Sequence, residues 1–152
     1  MTLAFAALQL LVLVPTAWFV ARSPSPRTAR HRASYAMGLT GLLAVTHVSW
    51  RALGAPMLQR SADWVAMEDP HSWAPAFSLI SCLIGYTAIV LSPIHGTRPK
   101  TFARILLLIA IALVFLVIRH PIGLAILWGA SALIVWLELR ETRGAQEITR
   151  LF

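Results

Sequence analysis

"FARILLLIAIALVFLVIRHPIGLAILWGASALIVWLEL", residues 102–139, decides how the chain is organised. Its 38 residues would make a helix about 57 Å long at about 1.5 Å per residue, against a bilayer hydrocarbon core about 30 Å thick. The stretch therefore folds back on itself. The break falls at Arg119-His120-Pro121, where two polar side chains interrupt the apolar run. Proline suits the first turn of a new helix, because its missing N–H would have no partner there anyway. Two helices, 102–118 and 121–139, joined in a tight hairpin, are the expectation.

Three more apolar runs precede this hairpin, at about 2–21, 33–53 and 74–92. The first, "TLAFAALQLLVLVPTAWFVA", begins without a basic n-region, and the charged "ARSPSPR" behind it stands where a cleavage site would be. It reads as a retained anchor and not as a signal peptide. The expected fold is an all-α integral membrane protein with five transmembrane helices in a single domain over residues 1–152. Composition agrees, since 12% of the residues are charged and 58% hydrophobic, where a soluble domain has about 25% charged.

The net charge of +7 raises nucleic acid as a partner, but the cations lie in short clusters between apolar runs and never form a stripe of their own. They point to the lipid bilayer and to orientation, and nucleic acid is excluded. Arg22, Arg27, Arg30, Arg32, Arg98, Lys100, Arg104, Arg140, Arg143 and Arg150 fall on one side. Arg51, Arg60 and Arg119 fall on the other. Ten against three predicts the N-terminus outside and the C-terminus in the cytoplasm of a bacterial cytoplasmic membrane. Trp18, Tyr35 and Trp136 then lie near the cytoplasmic ends, and Trp50, Trp64 and Trp73 near the outer ends, as interfacial aromatics do. Trp128 sits mid-helix, where it needs a hydrogen-bond partner or a groove facing lipid or another subunit.

Small residues mark where helices approach in lipid. Ser34, Gly38 and Gly41 are the expected packing face of the second helix, Ser78, Ser81, Cys82 and Gly85 that of the third, and Ala125 and Gly129 that of the fifth. The fourth, "ILLLIAIALVFLVI", has almost none, and is expected to face lipid or another subunit. Loop one, "RSPSPRTARHR", reads as too proline-rich for helix and as attracted to an anionic leaflet. The tail "LELRETRGAQEITRLF" reads as a solvated extension of helix five with alternating charge. No internal repeat of the kind many transporters carry is visible.

His47 is the ionisable side chain set well inside an apolar run, with Thr40 and Arg51 on its face. Such residues are functional candidates. It could ligate a haem, relay a proton, or hydrogen-bond a quinone or chlorophyll shared with a partner; the plain alternative is a neutral histidine bonded to a neighbouring helix. His71 and His120 lie too shallow for a second haem ligand, and His31 and His95 fall on the wrong side. The acids are confined to loop two and the tail, which disfavours a proton-coupled transporter, and no GxSxG, HExxH or P-loop is present. The single cysteine, Cys82, excludes an intramolecular disulfide.

Loop two, residues 54–73, has the pattern of a short interfacial helix ending at Asp69-Pro70. Glu68, Asp69 and His71 are too close in sequence to supply three ligands to one metal without strain. With Trp73 they form an expected contact for a neighbouring subunit, and Trp128 is another. Ser72 is the expected N-cap of the third helix, with Pro75 in its first turn. "PHSWAP", residues 70–75, running directly into an apolar helix, resembles the start of a helix in the small fourth subunit of actinobacterial terminal oxidases. The likeness covers six of 152 residues, and that family has four crossings against five here. It implies a respiratory-type assembly and nothing about activity.

The expected function is a non-catalytic accessory subunit of a respiratory or photosynthetic membrane complex, with other membrane subunits as partners. A small homo-oligomeric channel, or a cofactor-binding subunit using His47, are the alternatives.

Overall fold

A computed structural model of the chain describes residues 2–52, 73–93, 97–118 and 120–150, with the side chains of residues 2, 3, 51 and 142–150 outside that description. The described residues form helices α1 (Thr2–Ala21), α2 (Pro26–Ala52), α3 (Ala74–Leu91), α4 (Pro99–Phe115) and α5 (Pro121–Arg150), with no strand among them. Three of the five, α1, α3 and α5, are long and apolar enough to cross a membrane.

Proline sets where the helices begin. Pro26, Pro99 and Pro121 are the first residues of α2, α4 and α5, and Pro75 lies in the first turn of α3. This moves the start of α2 from the expected Ala33 back to Pro26. Ser25 caps it: its Oγ accepts the N–H of Thr28 at 3.2 Å, and its carbonyl accepts that of Ala29 at 3.0 Å. "RSPSPRTARHR" is therefore mostly helix, its prolines serving as a start signal, and only residues 22–25 link α1 to α2. At α3 the capping position belongs to Trp73, which makes no side-chain cap. Ser72, the expected cap, lies outside the described residues.

α5 begins at Pro121 as expected, while α4 starts and ends three residues earlier than expected. α4 runs from Pro99 to Phe115, and Leu116 and Val117 turn the chain. The His120 carbonyl then accepts the first helical N–H of α5, from Leu124, at 3.0 Å. A Cβ on Gly123 would stand 2.8 Å from Ile118 Cγ2, so glycine lets the hairpin close. The tail is helical through Arg150.

Buried positions recur every three to four residues on four helices. They are Ala6, Gln9, Leu13, Ala17 and Val20 on α1; Ala29, Ala33, Ala36, Met37, Thr40, Ala44 and His47 on α2; Pro75, Ser78, Cys82, Gly85 and Ile89 on α3; and Phe102, Ala103, Leu106, Ala110 and Leu113 on α4. Such spacing gives each helix one seam toward the others, as in a left-handed bundle. α1 packs on α2 and α4, α3 packs on α2 and α4, and α5 packs on α4 alone to any comparable extent.

Two expectations about packing reverse. α4, read as the lipid-facing helix, is central, while no residue of the apolar span of α5 is buried in the chain. Lipid tails are as apolar as leucine, so a greasy sequence does not separate core from lipid. Likewise the seam of α2 is its alanines: a Cβ at Gly38 or Gly41 would meet nothing within 4 Å. On α3 the expectation holds for Ser78, Cys82 and Gly85, all buried, with Ser81 half-buried at the edge. A Cβ on Gly85 would stand 2.8 Å from both Met37 Cε and Ile109 Cγ1, so this glycine admits α2 and α4. Gly129 opens onto empty space, and Ala125, its expected partner in the small-residue pair, is exposed.

Candidate functional site

The buried polar side chains of the bundle interior are Gln9, Thr40, His47 and Ser78. They come from three helices and meet at the end where α1 and α3 begin and α2 and α4 finish. Gln9, 3% exposed, is the hub. Its Nε2 donates to Ser78 Oγ at 3.1 Å and to the Thr40 carbonyl at 3.3 Å, and Ser78 Oγ donates to Gln9 Oε1 at 3.3 Å. Thr40 Oγ1 is turned back on its own helix, donating to the Ala36 carbonyl at 2.7 Å. One amide thus ties α1 to α2 and α3 inside the bundle. Leaving such a group unpaired costs about 1–3 kcal/mol.

His47, also 3% exposed, lies beyond this knot. Its ring stacks on Phe5 of α1, with centroids 4.5 Å apart and planes 7° from parallel. Beside it is a cavity of about 10 Å³ lined by Ala6, Gln9, His47, Ala74, Ser78, Leu113, Leu116 and Val117. That is room for about one water molecule, with polar groups of Gln9, His47 and Ser78 to hold it. None of the lining residues is an acid.

One face of the imidazole is covered by Phe5, and the space beside it, among the described residues, is that of about one water. The cluster can hold a water and fix the relative rotation of three helices.

The other expected site residues do not join it. Trp73 is exposed at the start of α3, and Trp128 is 71% exposed on the outer side of α5, with its carbonyl accepting Ser131 Oγ at 2.7 Å. Glu68, Asp69 and His71, with the expected interfacial helix of loop two, lie outside the described residues, as do Arg119, His95 and Trp64. Among the described residues no group of three His, Cys, Asp or Glu side chains could hold a metal ion. Gln9 is the residue that sequence reasoning passed over, and its signal is plain afterwards. It is the one amide in an otherwise apolar 20-residue helix.

The opposite end of the bundle is ionic. Arg104 of α4 reaches two carboxylates of α5, Glu138 Oε2 and Glu141 Oε1, the latter at 2.6 Å; Thr101 Oγ1 donates to Glu138 Oε1 at 2.7 Å, and Arg98 lies 3.8 Å from Glu141. Glu138 and Glu141, at the start of the tail, are therefore held on α4, where a solvated helical end able to dock on a neighbour was expected. Arg30 donates to the carbonyl of Val90, tying α2 to α3, and Arg32 donates to Ser23 Oγ at 3.3 Å. Comparison with protein-family models, with curated proteins and with solved structures finds no match to this chain.

Proposed function

We propose that the chain is a non-catalytic accessory subunit of a multisubunit complex in a bacterial cytoplasmic membrane, crossing it five times with the N-terminus outside and the C-terminus in the cytoplasm. The observation that carries this reading is the contrast between a filled interior and an uncovered helix. Gln9, Ser78 and the Thr40 carbonyl are hydrogen-bonded to one another beside a space for one water. Meanwhile the span Pro121–Glu141 of α5 has none of its residues buried by the chain. A span of this kind offers a surface to neighbouring subunits.

Five crossings are supported by packing. α2 and α4 fall short of the apolar length that α1, α3 and α5 have, yet each lies against α1 and α3 in the bundle. Helices so flanked share the depth of their neighbours, and their outward residues, such as Leu39, Leu42 and Val45 of α2, are exposed and apolar. The ten-to-three charge asymmetry supports the orientation. The electron-transfer character of the complex rests on the "PHSWAP" resemblance, on the outer side, and on no other feature.

Purification in mild detergent tests the proposal. Other membrane subunits should travel with the chain through affinity capture and size exclusion. A chain that leaves the membrane alone, monomeric and stable would sink the reading. Cysteines placed at Arg22 and Trp73 test the orientation, since a membrane-impermeant thiol reagent on intact cells should label only the second.

A further inference from the structure

We infer that the end of the bundle at the α1–α2 turn is a binding surface for the headgroups of anionic phospholipids, centred on Arg22, Arg27 and Arg32. Three observations carry it. First, these cations are exposed and make no ion pair among the described residues, and the described carboxylates at this end, Glu138 and Glu141, are held by Arg104 and Arg98. Among the described side chains, none neutralises the positive charge at the α1–α2 turn. Second, two of the guanidinium groups are held in place. Arg22 stacks over the Trp18 ring at 3.8 Å, and Arg32 donates to Ser23 Oγ at 3.3 Å, itself bonded to the Phe19 carbonyl at 3.2 Å. Third, Arg22 lies over the exposed ring of Trp18 on α1, and Tyr35, also exposed, follows His31 by one helical turn on α2.

The third point selects the occupant. A soluble polyanion would use the arginines and leave Trp18 and Tyr35 in water. A phospholipid uses both, its phosphate against the guanidinium groups and its glycerol and upper chain against the rings, which favour the headgroup level. α2 supports the same orientation, because Ala29, Ala33 and Ala36 face the bundle while Arg27, His31 and Tyr35, four residues apart, face out. The inference rests on the bundle lying in a membrane and is independent of the subunit proposal.

The full chain, purified in mild detergent, is titrated with phosphatidylglycerol, with phosphatidylcholine and with inorganic phosphate, and binding is read by native mass spectrometry. Phosphatidylglycerol should bind at least about tenfold more tightly than phosphatidylcholine, given about 1 kcal/mol per basic residue near an anionic surface. The triple variant Arg22→Gln/Arg27→Gln/Arg32→Gln should lose this preference, by up to about a hundredfold on the same basis, and the corresponding triple lysine variant should keep most of it. Equal binding of the two lipids overturns the inference. So does a glutamine variant that binds phosphatidylglycerol as before, or phosphate that competes at concentrations equal to the lipid. Should the glutamine variant not fold, salt decides on the unaltered chain. A preference that persists undiminished in about 1 M salt, where screening acts within about 3 Å, refutes the electrostatic surface.

Discussion

α4 and α5 are joined by a tight hairpin and are almost equally greasy, yet one is the hub of the bundle and the other has no fully buried residue in its apolar span. The difference lies in shape and not in hydrophobicity. α4 alternates large and small on its inner side, Phe102, Ala103, Leu106, Ala110 and Leu113, which lets α1 and α3 approach it. α5 carries Ile122, Ile126, Trp128, Leu133 and Trp136 outward, and is held to α4 through Glu138 and Glu141, which bind Arg104. In lipid, where apolar burial gives little drive to association, steric fit and polar contacts decide which helix is inside.

Glycine replacement is the strongest way to break that contrast. Gly85→Leu inserts a side chain where even a Cβ would stand 2.8 Å from Met37 and Ile109. It should cost at least about 1–3 kcal/mol by overpacking, read as a large fall in detergent Tm. Gly129→Leu, into open space, should leave the Tm of the isolated chain unchanged and weaken co-purification of partners. Equal losses of Tm would mean that α5 is packed inside the chain after all.

The polar knot comes next. Gln9→Leu removes both hydrogen-bonding ends of the amide and leaves Ser78 buried without its partner, at about 1–3 kcal/mol. Adding Ser78→Ala should return part of that loss, so the double variant should be more stable than the sum of the two single effects. Strict additivity would show that the two side chains do not act on each other. A comparable alteration at the ionic cluster should behave differently. Glu138→Gln with Glu141→Gln removes a pair network that is partly exposed, with side-chain exposures of 14% at Arg104 and 28% and 32% at the two acids. Partly exposed pairs contribute about 1 kcal/mol or less. The global Tm should barely move while amide exchange accelerates in the distal half of α5 alone, because α5 is tethered there by charge and not by burial.

How much of this was legible in the sequence follows from the same physics. The break before Pro121 was readable because the apolar run is too long for one helix of ordinary crossing length, and the Ser78–Cys82–Gly85 seam because its small residues recur at helical spacing. The identity of the inner and outer helices was not, since the signal that separates them in water, an apolar face against a polar one, vanishes when both faces are apolar. The start of α2 was missed for another reason. Pro26 was weighed as a breaker, although Ser25 before it and Thr28 after it make the same proline a start. Gln9 escaped because it is neutral, and attention in an apolar run goes first to charge and to histidine.

The smallest effect sharpens the contrast most, because its sign is diagnostic. Gly38 and Gly41 look like a packing motif in the sequence, but a Cβ at either position meets nothing within 4 Å. In an exposed helix interior, replacing glycine by alanine reduces the freedom of the unfolded chain and stabilises by about 0.4–1 kcal/mol. Gly38→Ala should therefore raise the Tm of the isolated chain slightly, whereas Gly85→Ala lowers it. The two substitutions are the same chemistry on adjacent helices, so the opposite signs isolate packing from propensity. If Gly38→Ala is neutral or stabilising in the purified chain but destabilises the assembly in the membrane, then that face of α2, like α5, is covered by a partner. A loss of stability in the isolated chain would instead place a helix of the chain itself against Gly38 and would remove the alanine seam as the packing face of α2.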